Sequence, residues 1–132
     1  MSAVVDASVL VKALLDAGPA GEWARAIVAG GALHAPDLAL AEVTNVLRGL
    51  ELTKHITTAE ANAAHEDLLQ LNVELFSFEP FAERAWSLRH NLTSYDAWSV
   101  GLAEALGLPL ATFDERLAKA KGTSCEFLTP PR

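Results

Sequence analysis

The chain has 132 residues, 51% of them apolar, a single cysteine and a formal net charge of −7. That length suits one domain whose hydrophobic core needs no disulfide, and a lone Cys125 excludes an internal bridge. The acidic balance excludes a broad basic nucleic-acid surface, which would need clustered Lys and Arg, and no apolar run approaches the roughly 20 residues of a membrane span.

In chain order, Ser2 to Asp6 is a β-branched run that stops on an acid, a buried strand handing over to a helix through Val9, Leu10, Ala13 and Leu14. Lys12 and Asp16 mark that helix's polar side, and Gly18-Pro19 ends it. Pro19 suits the first turn of a second helix, with Trp23, Ile27 and Val28 on one face and Gly30-Gly31 as its stop. Leu33 to Ala35 is a short strand. Pro36-Asp37 then opens a helix striped by Leu40, Val43, Leu47 and Leu50, with Asp37 expected as its N-cap and with Glu42 and Asn45 side by side, well inside it.

Thr57-Thr58-Ala59-Glu60 starts a helix that runs to about Leu71, and Val73 to Phe78 alternates like a strand. Pro80 begins a helix toward His90. Thr93-Ser94-Tyr95-Asp96 caps another through Trp98, Leu102 and Leu106, closed by Gly107. Pro109 to Thr112 is a strand, Glu115 to Lys121 a short helix and Cys125 to Leu128 a last strand. Strands alternating with helices predict a parallel sheet covered on both faces. The three tryptophans, Trp23, Trp86 and Trp98, are expected to fill the core, and the four dispersed histidines have no metal spacing.

Four acids, Asp6, Glu42, Asp96 and Asp114, fall where this topology brings residues to the carboxyl edge of one sheet. Each also has a structural role open to it: Asp6 and Asp114 can cap the helices that follow, Asp96 can favour a helix dipole, and Glu42 can face solvent. Carboxylates gathered about 4 Å apart repel by roughly 4 kcal/mol per pair at an effective dielectric near 20, so together they call for a cation. Oxygen ligands without clustered Cys and His point to Mg2+ or Mn2+ rather than zinc. Once loaded, such a site is positive, so a polyanionic substrate is compatible with the net charge.

Val4-Val5-Asp6-Ala7-Ser8, Glu42-Val43-Thr44-Asn45-Val46-Leu47, Tyr95-Asp96-Ala97 and Ala111-Thr112-Phe113-Asp114-Glu115-Arg116-Leu117, in that order, resemble the PIN domain. More narrowly, the full length is similar to VapC-type toxins of toxin–antitoxin pairs. The resemblance implies an α/β fold over 1–132, with a parallel sheet of about four to five strands sandwiched between helices. It also implies that Asp6, Glu42, Asp96 and Asp114 hold Mg2+, with Mn2+ as a substitute, for endoribonuclease chemistry. Ser8 and Thr112 would support the acids, and Asn45 would orient Glu42 or substrate. Arg116 and Lys12 are candidates for RNA phosphates. The implied partners are RNA, a small antitoxin and a second copy of the chain, with no membrane. A start without a basic secretory stretch makes the cytoplasm the expected location.

The alternative is a PIN-like module that binds a partner without cleaving anything. A haloacid-dehalogenase-type phosphoryl transferase would need an aspartate where Ser8 stands, and a dinucleotide site would need glycines within Asp6-Ala7-Ser8-Val9-Leu10.

Overall fold

Ala3–Val5 forms β1, and all three residues are buried because helices cover both faces of the strand. Val4 packs with Ala85, Ala97, Val100 and Leu110, whereas Val5 points the opposite way into a cluster with Leu10, Ala35, Val43 and Leu68. This two-sided burial explains why the strand reads as a continuous apolar run rather than an alternation.

The computed structural model describes residues 1–131. After β1 come α1 (Ala7–Leu15), α2 (Pro19–Ala29), β2 (Leu33–Pro36), α3 (Ala39–Leu52), α4 (Thr58–Gln70) and β3 (Val73–Phe76). Then follow α5 (Ala82–Ser87), α6 (Ser94–Leu106), β4 (Leu110–Ala111), α7 (Glu115–Ala118) and β5 (Phe127–Leu128). The five strands make one fully parallel sheet in the order β3-β2-β1-β4-β5. The first four helices supply one apolar cluster, and α5 and α6 supply the other. The chain lays β2 and β3 on one side of β1 and then crosses to lay β4 and β5 on the other. The crevice beyond β1 and β4 is therefore the topological switch point, where open α/β sheets bind ligands.

Local chemistry fixes the helices that carry the acids. Asp6 caps α1, Thr93 caps α6 and Asp114 caps α7, each accepting from backbone N–H groups of the first turn. Gly107 closes α6 in the left-handed region, at φ 65°. Arg84 of α5 donates from Nε to Glu104 Oε1 of α6 at 2.7 Å and from Nη2 to the Gly122 carbonyl at 2.7 Å, tying both helices to the C-terminal segment.

Several boundaries differ from the sequence reading. The Asp37 N–H extends the β2–β3 ladder to the Phe76 carbonyl at 2.9 Å, and α3 begins one residue later than expected, with Leu38 rather than Asp37 at the cap and no side-chain bond there. Glu42 consequently lies in the first turn of α3, where the helix dipole favours an acid. A 3-10 turn at Glu79–Phe81 precedes α5, which stops at Ser87. On that short helix Trp86 is 66% exposed, against the expectation that it fills the core, with the Arg89 guanidinium 4.4 Å from its ring centre.

Close approach of α1 and α2 depends on Gly21. A Cβ there would lie 1.8 Å from the Asp16 carbonyl oxygen, a backbone atom that cannot swing aside, whereas a Cβ at Gly49 inside α3 meets nothing within 4 Å. Gly21→Ala should cost at least about 1–3 kcal/mol and lower Tm by several degrees. Gly49→Ala should add about 0.5–1 kcal/mol through helix propensity. Thermal unfolding of both variants checks this; equal Tm values would refute the close-approach account.

Candidate active site

Asp6 follows directly on β1 and is only 8% exposed. A carboxylate so buried needs donors, and it has them. Ser8 Oγ donates to Oδ1, Thr112 Oγ1 donates to Oδ2, and the Val9 N–H donates to Oδ1 at 3.3 Å. Both hydroxyls are held in turn from the loop after β4: the Phe113 N–H donates to Ser8 Oγ at 3.1 Å and the Asp114 N–H to Thr112 Oγ1 at 3.0 Å. Burial raises the Asp6 pKa above its ordinary 3.8, and the donors from Ser8, Thr112 and Val9 offset part of that rise.

Asp96 lies half-buried in the first turn of α6, its N–H donating to the Thr93 hydroxyl at 3.2 Å. Its pKa is also raised, first by burial and then by the negative charges of Asp114 and Asp6, with a hydrogen bond from Thr93 opposing. Asp114 is exposed, and its Oδ1 accepts from the N–H of Arg116 at 2.9 Å and of Leu117 at 3.2 Å. These three aspartates, from β1, α6 and the β4–α7 junction, therefore share one electrostatic neighbourhood. Glu42 approaches from α3: its charge, with those of Asp6 and Asp96, acts on the Tyr95 hydroxyl, whose pKa rises because of burial first and these acids second.

The acids are neighbours rather than a closed cage. Among the described residues, no three His, Cys, Asp or Glu side chains form a group that could hold a metal ion as they stand. Their chemistry nevertheless suits one, since the donors are all carboxylate oxygens, Asp6 is held out of water, and Asp96 is half-buried in the field of Asp114 and Asp6, a cost that a divalent cation would relieve.

Among the other residues singled out in the sequence, Ser8 and Thr112 touch Asp6 directly. Asn45 is exposed on α3, one turn beyond Glu42. Lys12 Nζ lies 3.6 Å from Asp16 Oδ2 and 6.0 Å from the centre of the Phe113 ring, so its charge is already engaged by an acid. Arg116 is exposed beside Asp114. The sequence reading gave no role to Tyr95. Its hydroxyl is buried and, among the described residues, meets no acceptor in good hydrogen-bond geometry, although the Glu42 carboxylate is near enough that a hydrogen bond with it contributes to the raised pKa. Its ring lies edge-on to Trp98, and both line a cavity of about 500 Å3 with Leu38 and Phe78. Tyr95's place directly before Asp96 was the available signal.

A doubly wound parallel sheet with aspartates from distant segments at its switch point defines an α/β sandwich with an acidic edge. Residues 3–122 match the PIN domain family, and the chain belongs to it. It is 44% identical over 130 residues to Ribonuclease VapC1 of Mycobacterium tuberculosis, covering 94% of both proteins. Its fold is similar to the crystal structure of Mycobacterium tuberculosis VapC20, described as a Sarcin-Ricin loop cleaving toxin. That match has a TM-score of 0.66 at 19% identity and covers 94% of this chain and 97% of that one. It is also similar to a chain of a toxin-antitoxin complex from Klebsiella pneumoniae, with a TM-score of 0.63, 19% identity and 98% of each chain covered.

The raised pKa values of Asp6 and Asp96 set a pH dependence. Where the folded-state pKa lies above the unfolded value, the folded protein binds protons more tightly, so the stability is greatest below about 3.8 and falls as pH rises through the raised values. Asp16, Glu60 and Glu104, whose pKa values are lowered, act in the opposite sense, so the informative quantity is a difference between variants. In EDTA, the Tm of Asp96→Asn minus that of the unsubstituted protein should increase from about pH 4 to about pH 7. A difference that stays flat across that range would mean that Asp96 is not under charge strain.

Proposed function

We propose that the chain is a Mg2+- or Mn2+-dependent endoribonuclease that acts in the cytoplasm as the toxin of a type II toxin–antitoxin pair. The observation that carries this reading is the buried Asp6, fixed by two hydroxyls, with Asp96 near enough to feel the charges of Asp6 and Asp114. The ribonuclease name of a relative 44% identical over nearly the whole chain supports RNA as the substrate.

In this reading Asp6, Glu42, Asp96 and Asp114 hold the cation. The chemistry a divalent cation supplies when bound is acidification of water and stabilisation of charge developing on phosphoryl oxygens. Ser8 and Thr112 keep both Asp6 oxygens oriented, so that ligand loses little freedom on binding. Thr112 also takes the Asp114 N–H, which sets where the β4–α7 junction turns and hence where the Asp114 carboxylate starts. Asn45, one turn from Glu42, orients that side chain or the RNA. Arg116 offers the nearest exposed guanidinium for a phosphate, while Lys12 must first leave Asp16.

Purified protein should cleave RNA with Mg2+ or Mn2+ and lose that activity in EDTA. Asp6→Asn and Asp96→Asn should each lower the rate by about 10²-fold or more, because loss of one ligand weakens both water activation and charge stabilisation. Thermal unfolding confirms that the variants are folded. Undiminished cleavage in EDTA would refute the reading, and an undiminished rate in either variant would remove that residue from the site.

The proposed partners are a second copy of the chain and a small antitoxin, supported by the exposed Leu38, at 56%, and Phe78, at 38%, beside the acids, and by the toxin-antitoxin complex of like fold. Light scattering of the isolated protein should give twice the mass of 14.1 kDa. A monomer at tens of micromolar would contradict the dimer.

A further inference from the structure

The Tyr95 hydroxyl is shielded from water, and among the described residues no acceptor meets it in good hydrogen-bond geometry, the Glu42 carboxylate standing within reach without full alignment, although a buried hydroxyl normally finds an acceptor. The ring meets Trp98 edge-on at 6.1 Å and 70°, and Trp98, itself only 5% exposed, meets Phe78 edge-on at 5.2 Å and 81°. Tyr95 of α6 also shares a cavity with Leu38, the residue that precedes α3, and the charges of Glu42, Asp6 and Asp96 all act on its hydroxyl.

The four acids differ in how they are oriented. Asp6 has Ser8 and Thr112, Asp114 has the first N–H groups of α7, and Asp96 has Thr93. Glu42 is exposed at the start of α3 on a side chain with three rotatable bonds, and the side-chain donor that faces it is the Tyr95 hydroxyl. A metal-binding carboxylate is commonly fixed by a hydrogen bond to the oxygen that does not bind the metal.

Resting on the metal-dependent reading above, we propose that Tyr95 is a positioning residue whose hydroxyl donates to the Glu42 carboxylate when that carboxylate turns in to hold the divalent cation. Without the cation the contact with Glu42 falls short of good hydrogen-bond geometry, and it tightens when the cation draws the carboxylate in. Tyr95 then converts Glu42 from a loose surface acid into an oriented ligand, and the unpaired hydroxyl is the reserve that this closure uses.

The test is calorimetric titration of Mn2+ into the metal-free full-length protein, comparing the unsubstituted chain, Tyr95→Phe, Glu42→Gln and the double variant. Tyr95→Phe keeps the ring and removes only the unpaired hydroxyl, so its metal-free Tm should be at least as high as that of the unsubstituted protein. Its Mn2+ affinity should fall about 10–100-fold, the usual effect of removing a group that orients a metal ligand. In the Glu42→Gln background the same substitution should change Mn2+ affinity by less than about 2-fold, because the carboxylate it acts on is gone. RNA cleavage by Tyr95→Phe should recover as Mn2+ is raised. Unchanged Mn2+ affinity in Tyr95→Phe, with Glu42→Gln impaired, would overturn the role of Tyr95 and leave the metal-dependent reading standing. An equal loss with and without Glu42 would show that the hydroxyl acts elsewhere and overturn the proposal. Absence of Mn2+ binding by the unsubstituted protein would overturn both.

Discussion

A buried carboxylate at the end of the central strand is the constraint that the rest of the acidic edge answers. Asp6 cannot sit at 8% exposure unless its oxygens find donors, and those donors come from opposite ends of the chain. Ser8 belongs to the helix that Asp6 itself caps. Thr112 is 106 residues away and reaches it because β1 and β4 pair in parallel, with Val5 opposite Ala111. The bonds from Phe113 and Asp114 to these hydroxyls make the β4–α7 loop part of the same network. Removing either hydroxyl would therefore loosen both a buried charge and the loop that carries Asp114.

This organisation explains which parts of the protein could be read from the amino-acid order. β1 was legible because a β-branched run ending on an acid has few other meanings in an α/β pattern, and the Thr57 and Thr93 caps follow from side-chain chemistry within one turn. Asp37 misled because the β2–β3 ladder runs on through its N–H to Phe76, about forty positions later, a contact no local pattern contains, and the helix starts one residue further along. That shift of one residue leaves Glu42 in the first turn rather than well inside the helix. Trp86 looked like core because large aromatics usually are, but α5 is too short to bury every apolar residue it carries. Tyr95 was hidden for a subtler reason: what singles it out is a buried hydroxyl without an acceptor in good hydrogen-bond geometry, which only three-dimensional structure can show.

The acids at the edge are graded rather than equivalent. Asp6 is buried and fixed, Asp96 is half-buried, and Asp114 and Glu42 are exposed. The two that are desolvated are those whose pKa values are raised, so charge strain is concentrated where the fold is most rigid. Exposed acids cost little when no cation is present, because water screens them. If these acids hold an ion, Asp6 would be its most firmly fixed ligand and the exposed Glu42 the one with most freedom to close around it.

The same grading bears on how so acidic a protein could engage a polyanion. With a net charge of −7, attraction to RNA cannot come from the surface as a whole. It must come from a local reversal of sign, and the acidic edge is where a divalent cation would reverse it, with Arg116 exposed beside Asp114 to extend the positive field. Lys12, held by Asp16, adds little until that pair opens. Affinity for RNA would then depend on occupancy of the acids by the cation, so binding and chemistry would share one switch. A strongly basic surface would hold RNA whether or not the site was loaded; an acidic surface of this kind would tie recognition to the moment when cleavage is possible.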